Sequence, residues 1–139
     1  MIFFTDKLYL STKGNCEIVD ITDRVSAILE KSDIKNGIMN IFVPGATGSV
    51  TTIEYEPGLI TDFQNLLREI VKENKDYQHN KTHSDKNATS HLRASLLGAT
   101  LSVPIENGQL TLGRWQQIVF VDMDNRPRDR KIIVKIIGD

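Results

Sequence analysis

The stretch WQQIVFVDMDNRPRDRKIIVKIIG, residues 115–138, decides the predicted fold class, because two apolar runs flank a polar segment that is typical of a turn. Valine and isoleucine in both runs favour strands, and proline marks the segment between them. We therefore predict a β-hairpin here. Directly upstream, TLSVPI, ENG and QLTLG (residues 100–113) repeat the order of strand, turn and strand. Two hairpins in series predict an antiparallel meander.

The N-terminal two thirds of the chain mix further strands with helices. Four strands are predicted over FFTDKLYLST (3–12), CEIVD (16–20), IMNIFVP (38–44) and SVTTIEYE (49–56). Apolar residues at helical spacing predict a helix over residues 22–32, which Thr22 is able to cap, and a longer helix that opens at Pro57. SHLRASLLG (90–98) predicts a short helix. The polar residues 73–90 fit neither period, which predicts a loop.

The composition is that of one globular domain over residues 1–139, with 40% hydrophobic and 25% charged residues. Combined with the predicted elements, it indicates the α+β class, with mostly antiparallel sheet, one long helix and one or two short helices. A net charge of −1 argues against nucleic acid as the main partner. The single cysteine, Cys16, cannot form an intramolecular disulfide. Without a signal-peptide pattern or a membrane-length apolar run, we expect a soluble, cytoplasmic protein.

All three histidines of the chain fall in HNKTHSDKNATSH, residues 79–91. Imidazole binds metals and changes charge near neutral pH, so this stretch is a candidate site. His79, Asp85 and His91 carry groups typical of metal ligands, and Asn87 lies among them. The many polar residues equally indicate a solvated loop with incidental histidines, and no HExxH pattern is present.

A glycine-containing stretch, VPGATGSVTT (43–52), is the second candidate. Gly45 and Gly48 permit close approach of the backbone to a ligand, and the amide groups of such a turn suit an anion. A tight turn between two strands explains the same residues.

The third candidate is LGRWQQI (112–118), which holds the only tryptophan. Alternation along a strand predicts Arg114 and Gln116 on the face opposite Trp115, where Arg114 suits a phosphate. The alternative is a core tryptophan between two surface side chains. NRPRDRK, residues 125–131, is expected to form the solvated basic tip of the second hairpin.

The segment HLRASLLGATLSVPIENGQLTLGRWQQIVFVDMDNRPRDRKIIV resembles the C-terminal signature of the YjbQ family, small proteins often described as secondary thiamine-phosphate synthases. VPGATGSVTTIE, Asp62 and the histidine stretch follow in the family's order, so the resemblance covers nearly the whole chain. It implies a compact α+β fold with β-sandwich-like sheets and a homotrimer. It also implies one pocket that gathers the polar loop and the Trp–Gln strand.

The chain departs from the family pattern at three places. Gly45-Ala46-Thr47 stands where many members have His-Thr-Thr. Arg114 replaces the threonine of Leu-Gly-Thr-Trp-Gln, and Thr89 stands in a region where members often carry further histidines. A metal site built on those family residues would lack them here.

Three functions are compatible with these residues. The resemblance implies the joining of a pyrimidine pyrophosphate to a thiazole phosphate, with Mg²⁺ or another divalent metal neutralising the leaving pyrophosphate. The alternatives are a module that binds a small phosphorylated or anionic metabolite without turnover, and a metal-dependent hydrolase. The expected catalytic residues are His79, Asp85, Asn87 and His91, of which His79, Asp85 and His91 also serve as metal ligands. The expected substrate contacts are Arg93, Arg114, Trp115, Gln116 and Gly48.

Overall fold

The computed structural model describes all residues, 1–139, and contains eight strands and four helices. Every strand pairing is antiparallel, which confirms the predicted α+β class. None of the helices combines the length and the apolar character needed to cross a membrane. The elements are β1 (Ile2–Thr12), β2 (Glu17–Asp20), α1 (Thr22–Ser32), β3 (Gly37–Phe42), β4 (Gly48–Ile53), α2 (Pro57–Ile70), α3 (Gln78–Thr82), α4 (Ala88–Leu97), β5 (Thr100–Glu106), β6 (Gln109–Leu110), β7 (Gln117–Asp122) and β8 (Arg128–Gly138).

The strands form two sheets, in which most strands that follow one another in the chain do not pair. The larger sheet has the order β1-β8-β3-β5-β6, and the smaller has the order β2-β7-β4. β8 pairs with the whole of β1, from Ile2 opposite Gly138 to Thr12 opposite Arg128, and with β3 on its other side. The long-range pairing of β1 with β8 therefore defines the larger sheet.

β7 is buried on both faces, because the smaller sheet lies between two apolar clusters. Ile118 and Phe120 belong to the larger cluster, which residues of the five-stranded sheet and of α1 complete. Val119 and Val121 belong to the smaller cluster, together with residues of α2 and α4. Successive strand residues point to opposite faces, so one strand serves both clusters. The smaller cluster also contains Cys16, and burial raises the pKa of its thiol, which disfavours the nucleophilic thiolate.

The predicted second hairpin is wrong, because β7 and β8 lie in different sheets. The residues between them carry the chain from one sheet to the other, so no meander forms. The continuous apolar run of β7 is typical of a strand that is buried on both faces. The first hairpin is confirmed by the pairing of Glu106 with Gln109. Asn107 and Gly108 form its turn with φ values of 52° and 77°, as a tight hairpin requires.

The two predicted N-terminal helices are present. α1 spans residues 22–32 as expected, but Thr22 does not cap it, since its hydroxyl donates a hydrogen bond to Asp20 instead. α2 opens at Pro57, and the carboxylate of Glu56 accepts hydrogen bonds from two amides of its first turn. Those bonds lower the pKa of Glu56, so the cap remains charged well into the acidic range.

The polar residues 73–90 are not a loop throughout. They contain the five-residue α3, and α4 begins at Ala88, two residues before the predicted start. Four helices thus replace the two or three expected. The extra helix carries His79.

Candidate functional site

The three histidines come together where α3 meets α4. His79 lies in α3, His83 directly follows it, and His91 lies in the first turn of α4. The rings of His79 and His83 stack with centroids 4.4 Å apart, and those of His79 and His91 meet edge to face at 5.0 Å. A spacing of four on a helical turn accounts for the stacked pair. These three residues form the histidine cluster, so the interpretation of a loop with scattered histidines is wrong.

Two asparagines fold the segment between the histidines. Asn80 Oδ1 accepts a hydrogen bond from Ala88 N at 3.1 Å, which fixes the start of α4. Asn87 is buried, and its Oδ1 lies 3.1 Å from His79 Nε2. Because an amide oxygen only accepts, His79 Nε2 carries the proton and Nδ1 has no partner in the chain. Asn87 therefore fixes the orientation of the His79 ring through its Nε2 atom. Residues that support a functional histidine commonly bind the ring in this way.

His91 is oriented in the same way by the backbone. Its Nδ1 lies 3.1 Å from the carbonyl oxygen of Ala46 in the loop before β4. A carbonyl oxygen only accepts hydrogen bonds, so Nδ1 carries the proton. Nε2 then has a free lone pair and no hydrogen-bond partner in the chain. His91 is half-buried, so this nitrogen belongs to a ring that the backbone holds in place.

The loop that carries Ala46 is held from inside by a buried ion pair. Arg130 donates to both carboxylate oxygens of Asp122 at 2.8 Å and to Thr47 Oγ1 at 2.9 Å. Burial opposes ionisation of Asp122, but hydrogen bonds from Arg130 and Thr12 outweigh it and lower the pKa of this carboxyl. The buried residues Thr12, Thr47, Asp122, Asp124 and Arg130 form the buried ion network.

The expectation of a solvated basic tip at NRPRDRK is therefore wrong for two of its arginines. Arg130 is buried in the network, and Arg128 Nη1 lies 2.5 Å from Asp124 Oδ2. Only Arg126 at the turn itself is fully exposed among the three. The sequence signal was present, since Asp122 and Asp124 alternate just ahead of the arginines and supply their counter-charges.

Asp85 is exposed and lies apart from the histidine rings. It lines a polar recess with Asn87, Asp124, Asn125 and Arg126, and its carbonyl oxygen accepts a hydrogen bond from the Asn125 amide at 3.0 Å. No group of three or more His, Cys, Asp or Glu side chains in the chain is arranged to hold a metal ion. The expected set of His79, Asp85 and His91 is thus not assembled as a metal centre within one chain.

Two of the expected substrate contacts have structural partners instead. Arg93 is buried and donates hydrogen bonds to Glu73 Oε1 at 2.8 Å and to the Val71 carbonyl at 2.6 Å. Gly48 is buried at the start of β4, where an added Cβ would lie 2.9 Å from the ring of Phe120. The glycine is required for packing between strands, and the guanidinium joins α4 to the end of α2. Arg93 is engaged by partners within the chain, whereas Gly48 also borders a hollow of about 160 Å³ together with His91.

The Trp–Gln motif lies in a turn, so the predicted strand alternation is wrong. Arg114 stacks on the Trp115 ring, with its guanidinium carbon 4.7 Å from the centroid, and 62% of Trp115 is exposed. The core-tryptophan alternative is therefore wrong as well. Gln116 binds Gly113 N and Thr52 Oγ1. Arg114 and Trp115 line a cleft together with four acidic residues, Asp20, Asp23, Glu54 and Glu56. None of the histidines lines this cleft.

A cavity of about 400 Å³ opens beside the histidine cluster. His79 and His91 line one side, and Tyr77, Ala88 and Leu92 provide apolar surface. Sequence reasoning missed Tyr77 and Leu92, although the recurrence of Ala88 and Leu92 at a spacing of four is a helical signal. It also missed Ala46, which acts through its backbone and so leaves no signal in its side chain. His79 and His91 thus border an apolar hollow, and His79 Nδ1 and His91 Nε2 have no hydrogen-bond partner in the chain.

Comparisons with known proteins place this fold and sequence in one group. A family model described as "UPF0047 protein YjbQ-like" matches residues 6–139. A UPF0047 protein of Methanothermobacter thermautotrophicus is 42% identical over 99% of this chain and 94% of its own length. UPF0047 protein YugU of Bacillus subtilis is 32% identical over 94% of this chain and 97% of its own.

Solved structures share this fold. A YbjQ-like protein of unknown function from Sulfolobus solfataricus P2 is 40% identical, with a TM-score of 0.94 and coverage of 99% of both chains. A hypothetical protein from Aeropyrum pernix K1 is 32% identical, with a TM-score of 0.91 and coverage of 98% of this chain and 99% of its own. The similarity therefore extends over the whole domain, including the segments that carry the histidines.

Proposed function

Because the chain belongs to the YjbQ-like UPF0047 family, we propose that it binds a small phosphorylated metabolite at the histidine cluster and that His91 transfers a proton during its conversion. The observation that carries the proposal is the state of the His91 ring. Its Nδ1 is bound to the Ala46 carbonyl, and its Nε2 has no partner in the chain. A fixed imidazole with one open nitrogen at a cavity is the arrangement of a general acid or base.

The phosphate contacts differ from those expected from the sequence. Protonated histidines donate to phosphate oxygens, and His79 and His91 both line the cavity. Arg126 lines a separate recess with Asn87, the residue that binds His79, and we propose it as the supporting cation. The ion pair of Arg93 with Glu73 removes it from this role.

The joining of a pyrimidine pyrophosphate to a thiazole phosphate is the specific reaction that the family resemblance implies. In it, a carbon–nitrogen bond forms between the two rings as pyrophosphate leaves. In its doubly protonated form His91 would give the Nε2 proton to the leaving pyrophosphate, and His79 in the same form would donate from Nδ1 to its oxygens, since the neutral rings present lone pairs at these atoms. No group of three His, Cys, Asp or Glu side chains is arranged to hold a metal ion within one chain, so the steps assigned here are those of the histidines alone.

Inorganic pyrophosphate is the first probe of this proposal. With only three histidines in the chain, ring proton resonances report each of them in a simple spectrum. We expect the His79 and His91 signals to shift together, and His91→Ala to weaken binding at least tenfold. His83→Ala is the matched control, because His83 stacks in the cluster but does not line the cavity. Absence of any shift at millimolar pyrophosphate would exclude the proposal.

Turnover then separates an enzyme from a binding module. Purified protein is incubated with both thiamine precursors at millimolar concentration, with and without Mg²⁺, and released pyrophosphate is measured. Slow release that His91→Ala abolishes supports the transferase. Pyrophosphate binding without release supports the module that binds a metabolite without converting it.

We also propose a cytoplasmic homotrimer, on the basis of the family resemblance. Light scattering should give about three times the chain mass of 15.7 kDa. A monomer at micromolar concentration would contradict the trimer, and it would leave the histidine proposal standing, since the cluster is formed within one chain.

A further inference from the structure

Large aliphatic side chains are exposed immediately beside the histidine cluster. The exposed fractions are 44% for Leu92, 61% for Leu96 and 59% for Ile70. Single exposed apolar residues are common, but three that adjoin a cavity form a continuous surface that water solvates poorly. Such a surface next to open imidazole nitrogens indicates a ligand with two chemically different parts.

The surface is a groove along one face of α4. Ala88, Leu92 and Leu96 recur every four residues, so they follow one another along the helix for roughly 12 Å. A second cavity, of about 360 Å³, is lined by Leu92, Leu96, Ile70 and Tyr77. It shares Tyr77 and Leu92 with the cavity at the histidines, so the two hollows adjoin. We name Ile70, Tyr77, Ala88, Leu92 and Leu96 the apolar groove.

From this continuity we infer that the metabolite bound by the histidine cluster carries a hydrocarbon body, alkyl or aryl, that lies in the apolar groove. The inference rests on the proposed function for the phosphate end only. The groove itself is defined by its own residues. A body of five or six carbons would cover Leu92 and reach Leu96, and each buried methylene group favours binding.

The lining argues against a polar ring as the occupant. Ile70, Leu92 and Leu96 offer no hydrogen bond to ring nitrogens or amino groups, and burial of such groups without partners is unfavourable; Lys75 and Ser95 are the polar members of the lining. The Tyr77 hydroxyl is already bound to the Lys72 carbonyl at 2.5 Å. The aliphatic part of the groove therefore favours a hydrocarbon body on the bound metabolite.

The test compares n-hexyl phosphate with inorganic phosphate and with 1-hexanol, by calorimetry and by the histidine resonances. We expect n-hexyl phosphate to bind at least tenfold more tightly than either. Equal binding of the two phosphates would overturn the groove inference and leave the proposed function intact. Binding of hexanol as tight as that of n-hexyl phosphate would overturn the proposed function, and it would leave only the groove.

Matched leucine variants test whether the hydrocarbon part of the ligand lies in the apolar groove. Leu96→Ser should weaken n-hexyl phosphate about fivefold without changing the affinity for inorganic phosphate. Leu66→Ser on α2 is the control, because Leu66 is 48% exposed but lines no part of the groove. Light scattering of both variants completes the test. If Leu96→Ser dissociates an oligomer and leaves ligand binding unchanged, a second copy covers the groove and the inference fails.

Discussion

The buried ion network and the histidine cluster are both dense groups of polar side chains, and they meet at one short loop. Thr47 binds Arg130 of the network, while its neighbour Ala46 binds His91 of the cluster. In the network, Arg130 satisfies both oxygens of Asp122 inside the protein. In the cluster, imidazole nitrogens remain without partners beside a cavity.

The two regions therefore differ in role: the buried ion network supports the fold, and the histidine cluster is available to a ligand. A satisfied buried network contributes order to the fold, and removing one member leaves another charge unpaired. An open nitrogen contributes little to stability but is available to a ligand. The two regions should therefore respond in opposite ways to mutation, although they contact consecutive residues of one loop, Ala46 and Thr47.

Arg130→Ala should give the largest loss of unfolding free energy among the variants. It leaves Asp122 buried without its counter-charge, which we expect to cost about 3–5 kcal/mol of unfolding free energy. Urea unfolding measures the loss. Arg126→Ala at the exposed turn is the control and should stay within about 0.5 kcal/mol of the wild type. A loss below about 1 kcal/mol for Arg130→Ala would show that the network does not support the fold.

Asp122→Asn should have a smaller, pH-dependent effect. The pKa of Asp122 is lowered in the folded protein, so its stabilising contribution is present above the unfolded value and is lost as pH falls through the lower folded value. We expect a deficit of about 2 kcal/mol at neutral pH. It should stay constant down to about pH 4 and shrink below that. A deficit that disappears near neutral pH would contradict this assignment.

His91→Ala should change stability by less than about 1 kcal/mol, because the half-buried ring keeps only one hydrogen bond to the chain. Its effect on pyrophosphate binding should be at least tenfold. Thermal unfolding and the ligand titration, measured on the same sample, make the contrast with Arg130→Ala direct. If the variant loses several kcal/mol, the histidine belongs with the structural residues.

Arg114→Thr should give the smallest change in both ligand affinity and stability. Arg114 stacks on Trp115 in a cleft that contains no histidine, so the substitution should leave phosphate affinity and the Michaelis constant for phosphorylated substrates unchanged. Stability should change by less than about 0.5 kcal/mol. A raised Michaelis constant would show that the cleft and the histidine cluster act on one substrate.

Local sequence patterns predicted the helices and strands, but not which strands pair with one another. Asn107–Gly108 predicts a hairpin because such a turn depends on neighbouring residues alone. The path between β7 and β8 depends on two separate sheets, which no local pattern shows. The missed clue was β7 itself, whose unbroken run from Ile118 to Val121 has no polar face.

The site divides in the same manner. The histidines and Asn87 were predicted from residue type, and they do converge. The roles of Arg93 and Arg114 depend on which distant groups reach them, Glu73 in one case and an aromatic ring in the other. Charge alone cannot distinguish a guanidinium that is free for phosphate from one that already has a partner.

The position of β8 between β1 and β3 has a consequence for biosynthesis. Both neighbours leave the ribosome before β8 does, so the larger sheet cannot close until residues 128–138 have been translated. Until then both edges of β1 are unpaired, a state that invites pairing with other nascent chains. Contacts so distant in the chain also slow folding. Chaperone demand during synthesis should therefore peak late, when most of the polypeptide is already outside the exit tunnel.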